Sequence, residues 1–256
     1  MGDVVALILL GVLVGTLIGG LGGGGGVIAV PMFIWICGMA PSDAGTISLI
    51  AVAAAALIAV ALGTISREVR WRWAIAFGAL GLVGSFLGSA LALVVDDFVI
   101  LLAFAAVVLF ATVRFVVGIV RDKRRVGVGP PARGLASAAA VGIGAVTGLV
   151  GVGGGFLIAP ALMSLVRMAP RAAIATSSTV ILFNSLSSLG ARGVLGFSFE
   201  GAVVLPVLVG AFIGGVVGKA VASRISGAGL QYASGGLLVV CCLAVGASVV
   251  QSVWAS

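Results

Sequence analysis

The sequence predicts an all-α polytopic membrane protein. It has two homologous halves arranged as inverted repeats, each a Gly-broken, re-entrant segment followed by three transmembrane helices. Three observations carry that expectation. Hydrophobic residues make up 62 % of the chain and charged residues 8 %, against about 25 % charged in soluble domains. So few charges cannot cover a water-facing surface. Apolar runs reach about 20 residues, which suits helices crossing a core of about 30 Å rather than the short alternating strands of a barrel. One costly pattern is also written twice, 129 residues apart. The first copy reads Gly22-Gly23-Gly24-Gly25-Gly26-Val27-Ile28-Ala29-Val30-Pro31, and the second Gly151-Val152-Gly153-Gly154-Gly155-Phe156-Leu157-Ile158-Ala159-Pro160. The same spacing relates Met39-Ala40-Pro41 to Met168-Ala169-Pro170.

Taken in order, the first half (residues 1–120) opens on an apolar run over 4–21. It breaks at Gly22–Gly26, resumes over 27–39, and continues in runs near 44–65, 73–95 and 98–120. Residues 121–134 form a basic linker, Arg121-Asp122-Lys123-Arg124-Arg125 through Pro130-Pro131 and Arg133. The second half (residues 135–256) repeats the plan: 135–150, a break at 151–155, 156–166, then runs near 172–190, 201–222 and 230–251. If each broken segment returns to the side it came from, 12 basic loop residues face one side and Arg192 alone faces the other. If each crosses, the split is 9 against 4. The positive-inside rule favours the hairpin, and three crossings per half invert the second half relative to the first.

Composition also closes off several functions. The net charge of +7 sits in short loops, where it sets topology; no basic domain exists to bind nucleic acid. Cys37, Cys241 and Cys242 lie in apolar runs without metal-site or disulfide spacing. The N-terminus lacks the charged region of a cleaved signal peptide. Gly20-Leu21-Gly22-Gly23-Gly24-Gly25 satisfies G-x-G-x-x-G, but any glycine run does, and the apolar context denies it the preceding strand that a dinucleotide site needs. There is no His in the chain and no acidic residue deep in an apolar run. Metal, hydrolytic and proton-relay chemistry therefore lack their usual side chains, and the protein is expected not to be an enzyme and to need no cofactor.

The candidate site is the pair of breaks and the polar helices after them. Small-residue stripes for close helix packing account for Gly81–Gly88 and Gly210–Gly218. Five consecutive glycines exceed what packing needs, at roughly 1 kcal/mol each in helix propensity. Unwound backbone explains them better. Half-helices starting at Val27 and Phe156 would then point free N–H groups at the membrane centre, where they attract anions. Behind the second break stand eight polar residues within 13 positions, Thr176-Ser177-Ser178-Thr179 and Asn184, Ser185, Ser187 and Ser188. Ser48 is the counterpart of Ser177. Arg114, near the end of an apolar run, is expected to snorkel. Arg192 and Glu200 bracket a loop on the external face, where Arg192 could meet an anion. The substrate-binding candidates are Gly24, Gly25, Gly26, Ser48, Gly153, Gly154, Gly155, Thr176, Ser177, Ser178, Asn184 and Arg192.

The doubled Gly break five residues before a Pro, the following Ala-Pro and the polar helix after it resemble the TauE/SafE family of sulfite and organosulfonate exporters. The resemblance covers nearly the whole chain. It implies transport of a small sulfur-containing anion across a bacterial inner membrane, with the site at the two breaks and the adjoining polar helices. The expected partners are that anion and the lipid bilayer, with a homo-oligomer possible and no nucleic acid. A channel or carrier for another small solute, or a non-transporting scaffold subunit, are the alternatives.

Overall fold

The computed structural model describes residues 2–23, 25–92, 133–151, 155–194 and 201–226, with isolated positions between 94 and 113 and between 229 and 246. Those residues form eight principal helices and no strand: α1 Gly2–Leu21, α2 Gly25–Cys37, α3 Pro41–Ile65, α4 Trp71–Leu91, α5 Arg133–Val150, α6 Gly155–Ser164, α7 Pro170–Val194 and α8 Gly201–Arg224. Five of them (α1, α3, α4, α7 and α8) are long and apolar enough to cross a membrane. The linker over 121–132 lies outside the described residues, as do most of the expected runs at 98–120 and 230–251.

The repeat is visible in the helix boundaries. α3 and α7 start 129 residues apart and end 129 residues apart. The Met-Ala-Pro pair explains why. A left-handed residue follows each half-helix, Gly38 (φ 64°) directly after α2 and Arg167 (φ 59°) three residues after the end of α6. In each case the following Met amide donates back six residues, Met39 to Phe33 O at 3.4 Å and Met168 to Leu162 O at 3.1 Å. This is a helix-stop motif that satisfies orphan carbonyls. Pro41 and Pro170 then begin the next helices, where a missing N–H costs nothing.

Packing exchanges partners between the halves. α1 runs beside α8 in the same direction: Gly11 lies on Val207 and Gly210, Gly15 on Ala211, and Gly19 on Gly215. α4 runs likewise beside α5, with Gly84 on Val141 and Gly88 on Ala145. Glycines four residues apart remove the side chains from these seams, so backbones approach directly. Between the seams lie α3 and α7, which run in opposite directions. Gly63, near the end of α3, meets Ala175 near the start of α7, and Arg192 at the end of α7 reaches Ser42 at the start of α3. The outer faces carry exposed Leu9, Leu13, Phe86, Leu87, Leu205 and Val209, which suits contact with lipid. Trp35 and Trp71, also exposed, sit near helix ends, where indole rings favour the membrane interface.

The seams make a direct prediction. A β-carbon at Gly88 would overlap the Ala145 carbonyl, whereas one at Gly142 of α5 meets nothing within 4 Å. Gly88→Val is therefore expected to push α4 off α5 at a cost of about 1–3 kcal/mol. Gly142→Ala should be neutral or slightly stabilising. Thermal unfolding of the two variants in detergent checks the contrast.

Candidate functional site

Each break is shorter than the glycine run that announces it. α1 stops at Leu21, and Gly22 (φ 67°) and Gly23 (φ 144°) turn the chain. Gly24 lies outside the described residues, and α2 already begins at Gly25. In the second copy Gly151 (φ 78°) makes the turn, residues 152–154 lie outside the described residues, and α6 begins at Gly155. Positive φ explains why Gly22 and Gly151 are glycine. The half-helices thus start at Gly25 and Gly155, two residues and one residue ahead of the expected Val27 and Phe156. Gly25 and Gly26 are first-turn helix, not unwound backbone. Close approach is the reason for Gly25, whose β-carbon would strike the Val14 carbonyl and the Ile18 side chain of α1.

The two breaks meet. A β-carbon on Gly23 would overlap the carbonyl of Gly155, and one on Gly155 would come within 2.7 Å of Gly23 Cα. Each break also rests on the long helix of the opposite half, at matching positions: Gly22 lies on Ile174 of α7, and Gly151 on Gly45 of α3. The first turns of α2 and α6 consequently start close together, with their N–H groups unclaimed by the helix ladder.

Ser177 joins this centre directly. Its Oγ lies 2.6 Å from Gly22 O and 2.9 Å from Ile174 O, so one hydroxyl proton is shared between the opposite break and its own helix. Its counterpart Ser48 donates to Gly26 O at 3.5 Å. Thr176 faces elsewhere and accepts the Arg70 amide at 3.0 Å. Ser178 turns its hydroxyl back to Ile174 O at 3.0 Å. Asn184 stands on Gly81 of α4, buried, with neither amide atom hydrogen-bonded. Of the candidates on described residues, Gly25, Gly26, Gly155, Ser48 and Ser177 gather at the breaks. Thr176, Ser178 and Asn184 lie along the same α7, with no hydrogen bond to the breaks among the described residues. Gly153 and Gly154, like Gly24, are outside the described residues.

Arg192, expected beside a loop, lies within a helix. It belongs to the last turn of α7 and is 3 % exposed. Its Nη1 donates to Ser42 O at 3.0 Å and to Thr46 Oγ1 at 2.6 Å, and its Nη2 to Gly148 O at 3.4 Å. Gly148 is in the last turn of α5, where carbonyls lack helical donors and the dipole favours a cation. The guanidinium therefore ties α7 to both α3 and α5 beside the second break. Glu200 and Arg114 fall outside the described residues.

Ser185 and Ser188, read from the sequence as part of the polar run behind the second break, are buried without hydrogen-bond partners. Sequence reasoning passed over two features. Gly23 is the residue that touches the other break, yet inside a glycine run nothing marks it out. Lys219, counted only as a topological charge, pairs with Glu68 at 2.5 Å.

Chemically the centre offers the amides of the two first turns as hydrogen-bond donors, while the hydroxyl protons of Ser177 and Ser48 already go to Gly22 O, Ile174 O and Gly26 O. Among the described residues no group of His, Cys, Asp and Glu could hold a metal. The family model for the sulfite exporter TauE/SafE matches residues 7–245. The chain belongs to the TauE/SafE family. Two proteins of Xylella fastidiosa, each named "Probable membrane transporter protein", are similar to it. That of strain 9a5c is 32 % identical over 215 residues, covering 79 % of this chain and 78 % of the relative. That of strain Temecula1 is 30 % identical over the same shares. No solved structure matches the chain significantly. This TauE/SafE chain is thus a multi-pass membrane protein of a transporter family, not an enzyme.

Proposed function

We propose that this protein exports a small sulfur-containing anion, sulfite or a sulfonate, across a bacterial inner membrane and binds it where the two breaks meet. The observation that carries the proposal is the contact of Gly23 with Gly155, which starts two helices side by side within an apolar bundle. Converging helix N-termini favour an anion without a buried full charge opposite it. Ser177, donating to Gly22 O, and Ser48, donating to Gly26 O, hold the two breaks in place so that the first-turn amides face the anion. Gly24, Gly153 and Gly154 complete the breaks, Thr176, Ser178 and Asn184 the lining of α7, and Arg192 the positive end of the path.

The proposal includes inverted halves, 1–120 and 135–256, joined by a cytoplasmic linker at 121–134. The opposite directions of α3 and α7 support it, as does the exchange of partners in the α1–α8 and α4–α5 seams. Re-entrant geometry is supported by Gly25, which lies against Val14 and Ile18 of α1, so the chain has turned back within a few residues.

Export of an anion from a negative interior gains about 2.3 kcal/mol per charge at 100 mV. That sustains a gradient of about 50-fold for a monovalent ion, so no titratable coupling group is required. Purified protein in vesicles is expected to move sulfite faster when the receiving side is positive. Flux indifferent to an imposed potential, or no flux of any sulfur oxyanion, would refute the proposal.

A further inference from the structure

In the middle of α7, Asn184 Oδ1 and Nδ2, Ser185 Oγ and Ser188 Oγ are buried without a hydrogen-bond partner. Leaving such groups unsatisfied is costly, and the serines have an inexpensive remedy. Thr16, Thr46, Thr147, Ser164 and Ser178 all donate to the carbonyl four residues back. Ser185 and Ser188 have the carbonyls of Ile181 and Asn184 at that spacing and leave them alone. The fold does not demand polarity here either. The matching positions of α3 are Ala55, Ala56 and Ala59, and these are also buried.

The placement is ordered. Ser185 and Ser188 follow Ile181 by four and seven residues, so they share its face, and the Ile181 side chain lies on Gly155 of the second break. Arg192 follows them by seven and four residues on the same face. Asn184 stands at the edge of this face, over Gly81, where any β-carbon would overlap Asn184 Oδ1. Asn184 is seven residues from Ser177, about 10 Å along the helix axis. From Ile181, on which Gly155 lies, Ser185 and Ser188 stand about 6 and 10 Å further along the helix axis, so the cluster lies between the meeting point of the breaks and Arg192.

The geometry points to a second binding station for the transported oxyanion, in which Asn184 Nδ2 and the hydroxyls of Ser185 and Ser188 donate to its oxygens. The station rests on the reading that the protein carries a small oxyanion. Neutral hydrogen-bond donors hold an anion without trapping it, so an ion leaving the breaks can pause here on its way to or from the Arg192 end. The polar station occurs in one half only, which makes recognition one-sided on a two-sided scaffold.

The test is the variant Asn184→Leu/Ser185→Ala/Ser188→Ala, reconstituted in vesicles and assayed for sulfite flux, with its melting temperature measured in detergent. Removing unsatisfied buried groups should raise the melting temperature by several degrees, while the KM for sulfite rises tenfold or more. Should the triple variant fail to fold, Ser185→Ala/Ser188→Ala, which copies the residues of α3, is expected to show the same two changes to a smaller extent. An unchanged KM in a variant of either kind, with normal wild-type flux, would overturn the second station alone. So would a lowered melting temperature with unchanged flux per folded protein, the mark of a structural role. Absence of sulfite flux in the wild type would overturn the export reading and the station with it.

Discussion

Gly23→Ala is expected to abolish transport and to destabilise the protein by about 2–6 kcal/mol, the sum of backbone strain and overpacking. Two independent effects act at this residue. Its φ of 144° is one that L residues rarely adopt, and a β-carbon there would overlap the carbonyl of Gly155. Relief would require the two breaks to separate, which displaces the first turns of α2 and α6 together. Gly38→Ala provides the control. Gly38 has a φ of 64° but nothing within 4 Å of a β-carbon, so only the left-handed conformation is penalised, by about 1 kcal/mol. Flux and melting temperature should both separate the pair. Equal behaviour of the two variants would mean that the contact between the breaks has no functional weight.

Arg192→Met is expected to lose transport at least tenfold and to cost about 2–4 kcal/mol. Met keeps most of the volume but leaves Ser42 O, Thr46 Oγ1 and Gly148 O without the guanidinium they now accept from. Arg192→Lys separates the two contributions. An ammonium preserves the charge but lacks the planar fork that reaches α3 and α5 at once. The Lys variant should therefore melt nearly as low as the Met variant while retaining more flux per folded protein. Equal flux from both would show that Arg192 acts as a brace and not through its charge.

What could be read from the chain, and what could not, divides along physical lines. Glycine runs and prolines are expensive in apolar helices, so the two breaks and the Met-Ala-Pro stops stood out, and the boundaries of α3 and α7 follow the repeat at both ends. Consecutive glycines have identical propensities, so nothing local distinguishes Gly22 and Gly23, which turn, from Gly25 and Gly26, which begin α2. The small-residue stripes of α4 and α8 were legible as packing faces. Their partners were not, because pairing α1 with α8 is a long-range choice that no local pattern encodes. The burial of Arg192 was not legible for a related reason. Near Gly190 and Gly193 it resembles the end of a helix, and only the approach of α3 and α5 buries it.

The exchanged seams also bear on how the protein is made. α1 leaves the ribosome well before α8, yet the surface that covers Gly11, Gly15 and Gly19 belongs to α8, close to 200 residues further along the chain. At ordinary synthesis rates that interval is about 10–40 s. Through it the bare glycine face of α1 must be shielded by lipid or by the insertion machinery. The same delay applies over a shorter interval to α4, which waits for α5 across the basic linker. Neither half can close its own seams, so the nascent chain stays open until its last described long helix arrives.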